Sequence, residues 1–427
     1  MGMREMKDSG IEWIGEIPKE WKIDKIKYHL KRNEPKNHGN AIVLSVYRDY
    51  GVIPKDSRDD NHNVTSEDTS KYKYVKKGQL VINKMKAWQG SLAVSDYNGI
   101  VSPAYFIYDF TDEEYNHKYF HYLVRSCYKE EFKRISGGIR EGQWDLSPEA
   151  FANTLALLPP LVEQKYIANY LDTQCSEIDA TAEDIQKEIS LLEDYKKSVI
   201  TEAVTKGLNP DAEMKDSGIE WIGEVPKHWG TIRIGNAFSI RNERNYLPME
   251  QVQLLSLYSG KGVFPTGEEG TTNRGNHAQT VADYKIVKKN DIVVNIILAW
   301  MGSLGISNYN GVVSPAYDVY IPNEEKVVPH YYHYVFRTSG IANECYRYGR
   351  GIMMMRWRTY SSEFKRIHVP FPPLEEQQQI ADFLDSKCSE IDAIIADKKR
   401  QRGILAEYKK SLIYEYVTGK KEVPVHE

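Results

Sequence analysis

Two glycine-bearing stretches concentrate the polar chemistry of this chain: KRISGGIREGQW at 133–144 and YRYGRGIMMMRW at 346–357. Glycine lets backbone come close to a ligand, and the side chains around it are hydrogen-bond donors rather than nucleophiles. Arg140 and Gln143 have the forked shape that pairs with guanine and adenine edges respectively, and Arg134 adds a further donor to the same stretch. In the other stretch Arg347, Arg350 and Arg356, with the adjoining Arg358, suit phosphate oxygens or guanine. A shorter segment, NKMK at 83–86, contributes Lys84 and Lys86. Its counterpart NIIL at 295–298 replaces both cations by aliphatics and leaves Asn295 as the polar candidate. The competing reading of any one of these side chains is a surface ion pair or a solvated group.

Bond-making chemistry is not signalled. The sequence has no GxxxxGK[ST] phosphate loop and no Asn-Pro-Pro-Tyr or Asn-Pro-Pro-Phe methyltransferase signature. Pro210-Asp211 followed by Glu213-Met214-Lys215 resembles a nuclease motif only in its letters, because it is too compressed to bring carboxylates from separate strands around a metal. A linker is the simpler account. Cys127, Cys175, Cys345 and Cys388 are widely separated and lie in no CxxC or Cys/His ligand spacing. No metal or cofactor is therefore expected, and the cysteines read as small apolar core residues. His121 and His333 occupy matching positions in helix-like stretches and read as structural. Most of the 30 tyrosines, including Tyr72, Tyr74 and those at 331–334, read as core.

What positions the candidates is a duplication. MKDSGIEWIGEIPKEW at 6–21 returns as MKDSGIEWIGEVPKHW at 214–229, and AWQGSLAVSDYNGIVSPAY at 87–105 returns as AWMGSLGISNYNGVVSPAY at 299–317. LPPLVEQ from Leu158 answers to FPPLEEQ from Phe371. A period this long exceeds that of solenoid repeats and means two full-sized units. Residues that both copies share cannot distinguish two different ligands, so they are scaffold or backbone-positioning groups. By that rule Trp88, Trp300 and the Gly-Ser pairs after them are packing residues, whereas diverged positions beside them are candidate readers.

With 41% hydrophobic and 27% charged residues, the chain has the composition of an ordinary globular protein. The N-terminal residues lack the apolar core of a secretion signal, and the longest apolar run falls well short of the roughly 20 residues a spanning helix needs. No membrane association is expected, and the cytoplasm is the expected compartment. The formal charge of −4 is unevenly spread: residues 159–213 carry 5 basic and 12 acidic side chains, while residues 214–372 carry 18 and 14. The acidity lies after the PPL motifs, which leaves the larger units mildly basic and able to hold local positive patches.

After Pro159-Pro160 the pattern turns helical, with no Gly or Pro from Glu163 to about Thr205. Ala182, Ile185, Ile189, Leu192, Val199 and Ala203 mark a coiled-coil seam that skips a position at Lys196. Ile391, Ile394, Leu405, Tyr408 and Leu412 give a weaker stripe after Pro372-Pro373, so the two helices are expected to pair within the chain. Antiparallel pairing would carry the two units to opposite ends of a rod on the order of 45 Å long over residues 175–205. Within each unit, short β-like runs broken by Asn98-Gly99 and Asn310-Gly311 precede helical stretches. The expected fold class is α+β: two pseudo-symmetric globular domains separated by two long helices that form an intramolecular antiparallel coiled coil. The expected boundaries are 1–158 and 214–372 for the globular domains, and 159–213 and 373–427 for the helical regions.

The paired KDSGIEWIGE openings, the paired PPLxEQ motifs leading into long helices, and the diverged regions between them resemble the specificity subunit of type I restriction-modification systems over essentially the whole chain. The resemblance implies that each globular unit is a target recognition domain reading half of an asymmetric bipartite site in double-stranded DNA. It also implies that the helices fix the gap between half-sites and help dock two adenine methyltransferase (modification) subunits. Translocating endonuclease (restriction) subunits would join them, and the chain itself would have no catalytic activity. Two alternatives stay open: the specificity component of a related type IIB-like methyltransferase-nuclease system, and a duplicated coiled-coil scaffold for proteins.

Overall fold

The computed structural model describes residues 4–36, 41–48, 50–57, 68–138, 144–258, 262–267, 280–351 and 357–424. It resolves two compact units, the first built from two separate stretches, 1–185 with 400–427, and the second from one continuous stretch, 186–399. Each unit therefore holds one globular region and one half of each long helix.

The sheets of the two units correspond strand for strand. In the first unit Leu30–Arg32, Tyr105–Phe110, Leu80–Asn83 and Leu92–Val94 form a four-stranded antiparallel sheet in that order. In the second, Phe238–Ile240, Tyr317–Pro322, Ile292–Asn295 and Leu304–Ile306 repeat it. Even the register is kept, with Tyr105 opposite Asn83 and Tyr317 opposite Asn295. The shared Asn-Gly turns are explained by crowding. A Cβ on Gly99 or Gly311 would run into the carbonyl oxygen of Ile42 or Gln253, so only glycine fits there, at backbone angles that other residues could adopt.

The long helices are uninterrupted, at Leu161–Lys206 and Leu374–Val417. They pair antiparallel inside each unit. In the second unit Lys196 Nζ lies 2.6 Å from Asp392 and Lys398 Nζ lies 2.6 Å from Glu188. In the first unit Lys409 Nζ lies 2.6 Å from Asp179, and the Tyr170 and Tyr416 rings pack 4.7 Å apart. The skipped position in the first stripe is thus filled by a lysine whose stem lies on the seam and whose amine reaches an acid on the other helix. The second stripe differs from expectation: Ile391, Ile395 and Leu412 are buried, whereas Ile394 and Tyr408 are 40% and 52% exposed. Ile394 and Ile395 are neighbours, about 100° apart around a helix of 3.6 residues per turn, so only one can face the partner. At the next layer Lys409 takes the seam position in place of Tyr408.

Among the described residues no helix is long and apolar enough to cross a membrane. All four cysteines are free and buried, and burial pushes the Cys127 thiol up to about 12, which agrees with a packing role and an unreactive sulfur.

Candidate nucleic-acid interface

The repeated motifs that carry no reader chemistry explain each other. Trp21, from the first opening motif, is fully buried and donates Nε1–H to Glu163 Oε2 at 2.9 Å; Trp229 does the same to Glu376 at 2.8 Å. These are the tryptophan of the opening repeat and the glutamate of PPLxEQ, joined across the fold. The glutamine of that motif is equally occupied. Gln164 accepts from Asn116 N and donates to the carbonyls of Glu114 and Pro159. Gln377 accepts from Val328 N and donates to those of Lys326 and Pro372. Both glutamines are fully buried, and their amides satisfy backbone groups that would otherwise be stranded at the start of a long helix.

On that frame the two candidate segments of each unit come together. The strand ending at Asn83 turns through the 3-10 element Ala87–Gln89, and Gly90, with φ +91°, closes the turn. Asn83 N bonds Ser91 O, and Leu146 N bonds Lys84 O at 3.0 Å. In the second unit Asn295 N bonds Ser303 O, and Thr359 N bonds Ile296 O at 2.9 Å. The lysine segment and the glycine stretch, about 50 residues apart in sequence, therefore sit side by side in both copies. The glycine stretch itself leaves and returns through a one-residue β-bridge, Gly137 with Asp145 in one unit and Arg350 with Arg358 in the other. Each bridge is a pair of backbone hydrogen bonds of 2.9–3.2 Å, so each unit has an equivalent neck.

Aromatic rings brace each neck. Trp144 meets Trp88 edge-on at 5.5 Å, and Trp357 stacks on Tyr346 at 5.2 Å while donating its N–H to the Tyr346 carbonyl at 3.0 Å. Trp88 and Trp300 donate to the carbonyls of Met85 and Ile297, which matches the packing role expected of shared residues.

The candidate readers divide. Lys84 Nζ lies 2.9 Å from Asp145 Oδ2, so it closes the first neck with an ion pair. Lys86 is exposed and pairs with no carboxylate among the described residues. Arg358 is exposed at the second neck, likewise without a carboxylate partner among the described residues, and Arg350 pairs with Glu363 at 3.1 Å. Arg134 and Arg347 are committed to carboxylates on their own helices, Glu131 and Glu344, which are 6% and 8% exposed. That i,i+3 spacing was visible in the sequence. Asn295 is 9% exposed, and its Oδ1 accepts from Ile297 N and Leu298 N. It holds the turn, as Asn83 does for Met85 N. Arg140, Gln143 and Arg356 lie outside the described residues.

His121 and His333 take matching places beside Arg125 and Arg337, with ring-to-guanidinium distances of 3.1 and 3.0 Å. Burial, reinforced by the neighbouring guanidinium, pushes both imidazoles down to about 3. They are neutral structural groups. Two features escaped sequence reasoning. One is Asp145, whose contact with Lys84 has no signal in sequence spacing; the other is a cluster of His29, Asp112 and Glu114, which only the folded chain assembles.

The family comparisons agree with this duplicated geometry. A family model for the type I restriction modification DNA specificity domain matches residues 18–191 and again residues 226–401. A Methanocaldococcus jannaschii chain assigned as the specificity subunit of type I restriction enzyme MjaX is 24% identical over 432 residues, covering 96% of both chains. The type I restriction enzyme MjaVIII specificity subunit from the same organism is 23% identical, covering 95% of this chain and 94% of the other. Among solved structures, a chain from a type I R-M system studied for complex assembly and conformational transition superposes with a TM-score of 0.67 at 13% identity, covering 95% of this chain and 99% of that one. That last likeness concerns the fold alone. Matched by the family model in both of its halves, the chain belongs to the type I restriction-modification specificity family.

Proposed function

We propose that this chain is the non-catalytic DNA sequence-specificity subunit of a type I restriction-modification complex. Each unit reads one half of an asymmetric bipartite site, and the chain directs partner adenine methyltransferase and endonuclease subunits to that site. The observation that carries the reading is the repeated neck. In each unit one loop starts from an equivalent backbone bridge, beside an equivalent turn and sheet, yet the two loops carry different side chains. A constant frame with variable donors is what reading two different half-sites requires.

In this reading Lys86, Arg350, Arg356 and Arg358 contact phosphate or base edges, Arg140 and Gln143 read bases, and Lys84 acts at the first neck. The paired antiparallel helices inside each unit support a spacer role for the helical regions. Duplex DNA, with its own dyad, is a natural ligand for a pseudo-symmetric pair of readers.

Base-resolved adenine methylation of random-sequence DNA tests this, comparing this chain plus its neighbouring methyltransferase with the methyltransferase alone. A two-part motif with a fixed gap, appearing only when the chain is present, is the expected result. Unchanged methylation with an active, assembled partner would instead favour a protein scaffold.

A further inference from the structure

The first unit holds a group of ionisable side chains that its duplicate lacks. His29, next to the 3-10 turn Ile26–Tyr28, is 3% exposed. Its Nδ1 lies 2.9 Å from Asp112 Oδ2 and 3.7 Å from Glu114 Oε2, and its Nε2 lies 3.5 Å from Asp24 Oδ2. Among the described residues Nε2 has no hydrogen-bond partner. A neutral imidazole has one N–H. With the N–H on Nδ1 the buried Nε2 lone pair is left without a donor, and with it on Nε2 the Nδ1 lone pair faces Asp112 at 2.9 Å, so the arrangement calls for an added cation.

Three of these groups also converge as ligands would: the donor atoms of His29, Asp112 and Glu114 all lie within 4.8 Å of one another. They are held both within the cluster and from outside it. Asp112 Oδ1 accepts from Glu114 N at 3.0 Å, and the Glu114 carbonyl accepts from the buried Gln164 at 2.8 Å. The Tyr115 ring packs edge-on against the imidazole at 5.0 Å. Burial, reinforced by the charges of Asp24, Asp112 and Glu114, pushes its hydroxyl well above the usual range. A cavity of about 510 Å³ borders Glu114.

We propose that His29 Nδ1, Asp112 and Glu114 bind a divalent first-row transition-metal ion such as Zn²⁺, with Asp24 accepting the Nε2–H as the outer partner. One imidazole and two carboxylates balance the charge of a divalent ion, and water completes its coordination. A carboxylate behind a ligating histidine fixes its tautomer and raises its basicity. The nitrogen ligand favours zinc over magnesium, which prefers an all-oxygen octahedral shell. Ala237 stands at the position equivalent to His29 in the second unit, so the site belongs to the first unit alone. Its effect there is structural: it ties the segment carrying Asp24 and His29 to the turn after Tyr105–Phe110. The site does not depend on what the glycine loops bind.

The test is a competition titration of Zn²⁺ against a chromophoric chelator, using the full-length chain after metal stripping, with Mg²⁺ in parallel. We expect a single strong Zn²⁺ site that Mg²⁺ does not occupy, and a rise in unfolding temperature on Zn²⁺ addition. Affinity should fall by more than about tenfold in His29→Gln and Glu114→Gln, and by about 10–100-fold in Asp24→Asn. The Glu114 side chain is 59% exposed, so Glu114→Gln should fold normally even if His29→Gln does not. Zn²⁺ bound equally by the wild type and Glu114→Gln, or no saturable binding, would overturn the site. So would an unfolding temperature that does not respond to Zn²⁺.

Discussion

The two loop necks share a backbone and differ in charge. At the first, Lys84 faces Asp145 in an ion pair; at the equivalent positions of the second stand Ile296 and Arg358. The bridges and the hydrogen bonds to the preceding turn are otherwise the same, and each neck is braced by a tryptophan, though on different partners. Backbone placement in this fold is therefore independent of the charges it carries, and duplication can keep the first while the second diverges. Four predictions probe that separation.

The largest effects should come from the frame, and they should be equal in the two units. Trp21→Ala removes a fully buried indole and its bond to Glu163, leaving that carboxylate to Arg4; Trp229→Ala does the same at Glu376, leaving it to His228. Each should cost about 3–5 kcal/mol, confined to its own unit, as read by denaturant unfolding with hydrogen exchange assigning the lost protection. A markedly smaller loss in one unit would mean that the duplicate frames are not energetically equivalent.

The readers should behave in the opposite way, with effects that never cross between half-sites. Arg140→Ala should weaken recognition of one half-site by about 1–3 kcal/mol, and Arg358→Ala the other by a similar amount if it reads a base. Binding to duplexes altered in one half at a time checks this. Equal loss across all sequences would demote either arginine to a phosphate contact.

How much of this was legible follows the same division. The duplication revealed two units, the α+β class and the antiparallel helices because repeats and hydrophobic periodicity are local signals. The partnership of Trp21 with Glu163 was not legible, although both motifs stood out, because nothing in sequence ties residues so far apart. Asn295, Arg134 and Arg347 could have been set aside from the sequence. Asn83, Arg347 and Arg134 stand at the matching positions in the other copy, so the rule that shared residues are scaffold already excluded all three as readers. The second helical stripe failed where two adjacent isoleucines competed for one seam position, a choice that periodicity alone cannot make.

The buried histidines give a third, smaller effect that should again be the same in both units. His121 and His333 are held near 3 in the folded chain, against about 6.5 unfolded. Above about pH 6.5 both states are neutral there and the histidines make stability independent of pH. Between that value and about 3 the unfolded chain binds protons that the folded one refuses, so stability falls as pH falls, by at most about 1.4 kcal/mol per pH unit for each histidine. Unfolding midpoints measured from pH 7 to pH 5 should decline in both units, and His121→Gln should flatten the decline only in the first.

The smallest effect bears on the charge difference itself. In Asp145→Asn, Lys84 loses its carboxylate partner while the bridge from Gly137, made only by backbone atoms, stays closed. The exposed ion pair contributes little to stability, so the unfolding midpoint should barely move. Binding should nevertheless change, because a released ammonium beside the loop can neutralise a phosphate. Affinity for DNA of any sequence should rise a few-fold at low salt, and the slope of log affinity against log salt should steepen by about 0.9. Arg358→Asp, which carries the acid of the first neck into the second, should make that slope shallower and leave the first half-site's preference intact. If Asp145→Asn changes base preference and leaves the salt slope alone, the ion pair sets the shape of the first loop, and charge and placement are not separable there.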